Sequence, residues 1–444
     1  MHLIPPMGTP PAIPPQPLLA RFGQRWRRHQ HWLSPTASFL LAFGVRLWWV
    51  RHWVLPAYGD QPSLESFAAN VAHGLYYGTH GAYWPPAFIF LAGFVERIFG
   101  SGHAYLSVRT ADAVVGALTA AVTADLGRRV LRSPVAGLLA GLMLAVYIPA
   151  VYYTDTFLAV TLGTLMLVSV CDAVTAYGDA PSPRRLLLVG VLLGLATLTK
   201  PTELPLVLPA FVQWGLRAKR GFAWRFAAGA AAAAVAIALL CNVPWTLRNL
   251  QVTGSPVFVD VNGGINFFIA HNPGATGQFV NVGSRNPVLL RGSGYDRPNT
   301  NADALRAGMA YFAAHPGRDA RQAVHVLHLF WGMRDPDIAT YGAELYALIA
   351  QLHLPSLNFA PMRDMALVGA AFLLPLWRRT PILWLTAIGY SVGLSLLFFA
   401  PRYRLPVEPL LVITAAWAVV KVWAVLRAEW RTVPGPPAAT APPS

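Results

Sequence analysis

The chain has 444 residues, 55% of them hydrophobic and only 12% charged, whereas soluble globular chains run at about 25% charged. Long apolar runs recur from residue 33 to residue 425, which excludes a soluble protein and one held by a single anchor. The net charge of +15 does not signal nucleic acid, because about half the Lys and Arg residues fall in short loops between apolar runs, where they set membrane orientation.

Residues 1–32 begin Pro-rich, carry no signal-peptide core, and are expected to form a disordered cytoplasmic tail. The first span is expected at about 33–51, and Arg21, Arg25, Arg27 and Arg28 before it place that end in the cytoplasm. Arg46 within it is expected to snorkel to the outer interface. Residues 52–83 then form an external first loop containing Tyr58-Gly59-Asp60-Gln61-Pro62. Residues 84–99 are apolar but short and are interrupted by Glu96 and Arg97, which fits an interfacial or re-entrant segment. Spans follow at about 104–127, 134–153 and 155–176, with Arg128, Arg129, Arg132, Arg184 and Arg185 at cytoplasmic ends. The run 186–216 breaks at Lys200-Pro201 and is followed by more basic residues, which requires a hairpin that turns outside at Lys200.

A span at about 226–246 closes a transmembrane catalytic half, 33–246. Residues 247–364 form a large external loop region, in which 272–300, rich in Gly, Asn, Pro and Ser, is expected to be mobile until an acceptor binds. C-terminal spans occupy 365–425, and 426–444 is a Pro/Ala-rich cytoplasmic tail. The fold expected is an all-α polytopic membrane protein of about ten transmembrane helices, within a range of about nine to twelve. Cys171 and Cys241 lie in apolar runs and read as packing residues, not a disulfide pair.

This orientation gathers polar residues at the outer face: Asp60 and Glu65, Arg109, Asp155, Lys200, Arg248 and Asn249, Arg402 and Arg404. Charges at span ends on one face are costly to place and mark a functional site. Each also has a structural reading. Arg109 can pair with Asp112 one turn on, Asp155 can cap a helix, and Arg402 and Arg404 can meet lipid headgroups. Lys200, beside a proline break in an apolar stretch, calls for an anionic partner such as a bound phosphate. His271 in the external loop reads as a solvent-facing histidine or, alternatively, a metal ligand. The sequence has no Cys/His zinc spacing, P-loop or GxSxG element.

Several stretches in order resemble the glycosyltransferase family 39 group of the C-type superfamily, which includes protein O-mannosyltransferases and aminoarabinose transferases. They are Asp60 followed by Trp84-Pro85-Pro86, Tyr152-Tyr153-Thr154-Asp155, and Gly194-Leu195-Ala196-Thr197-Leu198-Thr199-Lys200-Pro201. Pro244-Trp245-Thr246-Leu247-Arg248-Asn249, Asn262-Gly263-Gly264 with Asn266, Phe330-Trp331-Gly332 and Arg402-Tyr403-Arg404-Leu405-Pro406 follow. The resemblance implies transfer of a hexosyl or pentosyl group from a polyprenyl-phosphate donor at the outer face of a bacterial inner membrane. The acceptor, a protein, a lipid or a glycan, is left open. It implies Asp60 as base or metal ligand, Lys200, Arg402 and Arg404 as donor-phosphate partners, and Asp155 as a site-shaping acid. Glu65, Arg109, Arg248, Asn262 and Asn266 are further candidates for shaping the site.

The chain departs from the family in two places. Gln61 stands where the family commonly has a second acid, which weighs against a divalent-metal site built on Asp60 or His271. Tyr83-Trp84 replaces the Glu-Lys that aminoarabinose transferases carry before the Pro-Pro pair, so that substrate is not supported. Competing classes are a lipid-linked-sugar flippase and an inactive donor-binding relative. A transporter should hold its charges near the bilayer midplane on broken helices, whereas here they gather at one end.

Overall fold

The computed structural model describes residues 18–55, 59–75, 82–217, 223–280, 298–332 and 358–432, with backbone only for 18–30 and 428–432. Among the described residues the chain is helical, with no strand beyond one isolated bridge between Gln278 and Phe399. In chain order the helices are α1 (Leu18–His52), α2 (Gln61–Ala72), α3 (Pro86–Phe99), α4 (Ala104–Leu131), α5 (Pro134–Ala145), α6 (Ile148–Tyr152), α7 (Val160–Asp179) and α8 (Pro183–Thr199). They continue as α9 (Val207–Arg217), α10 (Ala223–Thr253), α11 (Gly263–Ala270), α12 (Pro298–Ala314), α13 (Pro316–Trp331), α14 (Phe359–Leu373), α15 (Pro381–Ser395) and α16 (Glu408–Thr432).

The sequence sets these boundaries through Ser-Pro and X-Pro steps. Ser133 and Ser182 cap α5 and α8, their hydroxyls accepting from the amides of Ala136 (3.2 Å) and Arg185 (3.4 Å), with proline at the first helical position of each. Pro201 forces the residue before it out of helical geometry, so Lys200 sits at φ −150, ψ 109 and ends α8.

Among the described residues six helical segments are long and apolar enough to cross a membrane: His31–His52, Ser101–Leu131, Val160–Asp179, Ala223–Thr253, Phe359–Leu376 and Pro401–Arg427. A seventh results if α5 and the segment Ile148–Asp155, bent by 55°, are taken as one span. The described residues alone do not supply the expected ten by length. Helices α8, α9 and α15 have 17, 11 and 15 residues, below the roughly 20 of a straight crossing. Helix α1 starts at Leu18, ahead of the span expected from residue 33.

The hairpin at Lys200 is visible in the packing. Gly190 faces Ile237 and Gly194 faces Cys241, so α8 and α10 run the same way and the chain between them returns across the bundle. Small residues allow such approaches in an apolar medium. At the α4–α5 contact a Cβ on Gly137 would lie 2.5 Å from the Ala124 carbonyl oxygen. Cys171 and Cys241 are both free.

Arg46 does not snorkel. It is buried and donates to the Leu144 and Ala145 carbonyls at 3.3 and 3.0 Å, closing the open C-terminal end of α5 at the bend. Basic residues mark the opposite end of the bundle from Lys200, where Arg129 pairs with Asp172 (3.1 Å) and Arg217 with Asp179 (2.7 Å).

Candidate active site

A cavity of about 230 Å³ opens at the Lys200 end of the bundle, and Asp60, Lys200, Asp260, Asn262, Asn266 and Arg402 all line it. Four distant stretches of sequence supply these side chains. Asp60 precedes α2 in a turn in which Gly59 takes φ +61, a region that favours glycine. Arg402 stands on the 3-10 turn Pro401–Tyr403, and its Nη2 donates to Asp60 Oδ2 at 2.7 Å. Lys200 Nζ lies 5.3 Å from the centre of the Tyr403 ring and the Arg402 guanidinium 5.4 Å from it, so two cations share one aromatic ring.

The stretch Pro244–Asn249 builds the third wall. Trp245 Nε1 donates to the Val259 carbonyl (2.8 Å), Thr246 Oγ1 to Phe258 (3.0 Å), and Asn249 Nδ2 to Val257 and Val259 (3.0 and 3.2 Å). These bonds hold residues 257–259 against α10. The Val261 amide donates to the Ala82 carbonyl (2.7 Å) and Asn262 Nδ2 to the Tyr83 carbonyl (3.0 Å), tying that segment to Tyr83-Trp84-Pro85. Asn266 Nδ2 reaches Asn262 Oδ1 at 3.4 Å. Asn301 Oδ1 accepts from the Gly264 amide (2.7 Å) and so secures the start of α11 against α12.

Other candidates lie outside the cavity lining. Arg109 does not pair with Asp112. It reaches the Asp155 carboxylate and the Trp53 carbonyl, and Asp155 Oδ2 accepts from the Leu55 amide at 3.3 Å. The pair is fully buried, at 1% and 0% exposure, and fastens the start of the first loop to the α6–α7 bend. Glu65 accepts from Gln61 Nε2 at 2.8 Å. Arg248 stacks on Trp245, 4.8 Å from the ring centre, and donates to Asn249. The two arginines of Arg402-Tyr403-Arg404 diverge: Arg404 is buried, bonds Glu408 (2.7 Å) and the Phe330 carbonyl (3.2 Å), and lies over Phe359.

His271 is not solvent-facing. At 3% exposure its Nδ1 sits 3.1 Å from Asp319 and its Nε2 2.9 Å from the Leu396 carbonyl. It is thus engaged away from Asp60. Among the described residues no three His, Cys, Asp or Glu side chains come together as a metal site, and Asp60 faces the Arg402 guanidinium. The stretch 281–297, within the loop expected to order on acceptor binding, lies outside the described residues.

Two acids escaped the sequence reading. Glu203, on the 3-10 turn after Lys200, is fully buried. Its Oε1 and the Lys200 Cδ both lie 3.3 Å from where a Cβ on Gly163 would stand, so the two side chains converge over one glycine of α7. Its position three residues beyond Lys200 was the available signal. Asp260 lines the cavity, and its Oδ1 accepts from the Asn262 amide at 3.2 Å. Burial pushes its carboxyl up to about 7.

A second, apolar cavity of about 430 Å³ runs between α9 and α15. It shares the lining residues Thr202, Tyr390, Leu394 and Leu397 with the polar one, so the two lie side by side.

The chain is similar to known proteins in part of its sequence and in its fold. The family model described as dolichyl-phosphate-mannose-protein mannosyltransferase matches residues 84–247. No curated protein matches the chain. An archaeal oligosaccharyltransferase from Archaeoglobus fulgidus, in complex with an inhibitory peptide and a dolichol-phosphate, aligns with a TM-score of 0.54 and 14% identity over 94% of this chain and 53% of its own. The same organism's enzyme in complex with Zn and sulfate aligns at 0.54 and 14%, over 89% and 50%. A Cupriavidus metallidurans ArnT bound to undecaprenyl phosphate aligns at 0.40 and 15%, over 90% and 80%. The chain spans about half the length of the archaeal enzyme it matches. In its motifs across residues 84–247 and in its all-α membrane fold, the chain is similar to the C-type glycosyltransferases.

Proposed function

We propose that the protein is a membrane glycosyltransferase that moves a hexosyl or pentosyl group from a polyprenyl-phosphate donor to an acceptor hydroxyl or phosphate at the outer, periplasmic face of a bacterial inner membrane. One observation carries this reading. A carboxylate, Asp60, and two cations, Lys200 and Arg402, line a cavity that adjoins an apolar groove between α9 and α15. That combination suits a lipid phosphate whose headgroup carries the reacting centre and whose isoprenoid tail leaves along the groove.

The chemistry balances with these groups. Asp60 takes the proton of the acceptor hydroxyl, and the acceptor oxygen forms the new bond to the anomeric carbon from the face opposite the phosphate. The bond from that carbon to the phosphate oxygen breaks, and its electron pair stays on the lipid phosphate. Lys200 and Arg402 neutralise the added charge in a water-poor setting, where fixed cations act most strongly. Proton removal by a positioned carboxylate contributes about 10²–10⁴-fold. Arg402 holds Asp60 at 2.7 Å, and an arriving phosphate competes for that guanidinium and frees the base. No step is routed through a metal ion.

The test is a transfer assay on protein in lipid bilayers, with a panel of polyprenyl-phosphate sugars and a membrane extract as acceptor, wild type beside Asp60→Asn. Donor consumption by wild type alone is the expected outcome. Movement of donor between leaflets without transfer would assign a flippase instead, and donor binding without turnover an inactive relative.

A further inference from the structure

We infer that Asp260 is a specificity-determining residue that, with Asn262 and Asn266 beside it, binds the hydroxyl groups of the donor's glycosyl unit. The inference rests on the transferase reading above and assigns two groups of lining residues to two parts of the donor.

The cations gather at one part of its lining, where Lys200 and Arg402 share the Tyr403 ring. The segment 260–266 supplies a different chemistry: a carboxyl and two carboxamides, with the Tyr83 and Trp84 rings packed edge to face at 4.8 Å on the backbone that Asn262 holds. An anionic phosphate is repelled by a carboxylate, so the Asp260 side does not suit the leaving group. A neutral polyhydroxyl ring suits it, because hydroxyls donate to carboxylates and exchange hydrogen bonds with amides, while aromatic rings cover the apolar C–H face.

Asp260 has capacity for such a ligand. Among the described residues it has no ion-pair partner, and the one hydrogen bond it accepts, from the Asn262 amide, uses one of about four lone-pair sites. Its placement is rigid. Trp245, Thr246 and Asn249 hold the backbone before it, and Ala82 and Tyr83 hold the backbone after it. A recognition group fixed on both sides discriminates between hydroxyl configurations better than one on a mobile loop. With its carboxyl pushed up to about 7 by burial, Asp260 also exchanges between donor and acceptor near neutral pH, as a sugar hydroxyl does.

The experiment measures dissociation constants in lipid nanodiscs for bare polyprenyl phosphate and for polyprenyl-phosphate mannose, glucose and galactose. Wild type, Asp260→Ala, Asp260→Asn and Lys200→Ala are compared. The expected result is that Asp260→Ala weakens the best-bound sugar lipid by about 10-fold or more and leaves bare polyprenyl phosphate within about twofold of wild type. Asp260→Asn, which keeps an acceptor for the Asn262 amide, shifts in the same direction by less. Lys200→Ala weakens all four lipids together. Bare-lipid binding doubles as the check that the two Asp260 variants are folded. Equal weakening of sugar-bearing and bare lipids by Asp260→Ala, or no weakening, overturns the inference while the transferase reading stands. Binding of none of the four lipids by wild type overturns both.

Discussion

Arg402 and Asp60, 342 positions apart in the chain, meet at 2.7 Å in the lining of the polar cavity. The base proposed for the acceptor and a cation proposed for the leaving group therefore hold each other before substrate arrives. Two variants separate these roles. Asp60→Asn should lower transfer by about 10²–10⁴-fold while donor binding stays close to wild type. Arg402→Ala should weaken donor binding about tenfold or more and lower transfer as well, because a charge-assisted contact to phosphate is lost. Measured donor affinity and single-turnover rate, taken on the same preparations, check the pair. Full transfer by Asp60→Asn removes the assignment of the base.

Lys200 depends on a glycine that never touches substrate. A Cβ on Gly163 would come within 3.3 Å of both Lys200 and Glu203. Gly163→Ala asks for shifts of a few tenths of an ångström in flexible side chains and should bind polyprenyl phosphate nearly as wild type does. Gly163→Leu overfills the same space and should displace Lys200, weakening polyprenyl-phosphate binding by on the order of tenfold. Equal binding by the two variants would show that Lys200 does not need this support.

The local signals in the sequence were strong where chain chemistry acts alone. The Lys200-Pro201 step ended a helix because proline restricts the residue before it, and the basic clusters named one end of the bundle. The stretches that hold Asp60, Lys200, Asn262, Asn266 and Arg402 come to one cavity. Pairings between elements were not legible. Arg109 has Asp112 one turn away on its own helix, yet it reaches across to Asp155, because the α6–α7 bend brings that carboxylate to it. Arg402 and Arg404 are two residues apart and look equivalent, but the short 3-10 turns around them send one to Asp60 and the other to Glu408. The span count was not legible either, because α8, α9 and α15 are short apolar helices that charge patterning alone does not distinguish from full crossings.

The Arg109–Asp155 pair is a test of a structural role. Both side chains are buried, and Asp155 also receives the Leu55 amide. Removing one partner strands the other charge, which costs roughly 3–5 kcal/mol. Asp155→Ala should therefore lower the thermal unfolding midpoint clearly, and Arg109→Ala should do the same. The double variant Arg109→Met with Asp155→Leu should recover much of the loss, because no buried charge is left uncompensated. Unfolding curves in a fixed detergent, followed by intrinsic tryptophan fluorescence, read this directly. If Asp155→Ala unfolds like wild type yet loses transfer, the residue belongs to the chemistry and not to the scaffold.

Asp260 makes a signed prediction about pH. Its carboxyl is pushed from the ordinary carboxylate range up to about 7 by burial, opposed by the Asn262 amide. In the unfolded chain an aspartate loses its proton near pH 4. Between about pH 4 and about pH 7 the folded protein therefore holds a proton that the unfolded chain has released, and stability falls as pH rises through that window. Above about 7 the contribution levels off. The side chain keeps part of its surface in contact with solvent, which reduces the size of the effect but not its sign. Asp260→Asn removes the titrating group and keeps the acceptor. Relative to wild type, its unfolding midpoint should rise steadily across this window as pH increases. A difference between the two proteins that stays constant from about pH 4.5 to about pH 7.5 would show that this carboxyl titrates in the ordinary range.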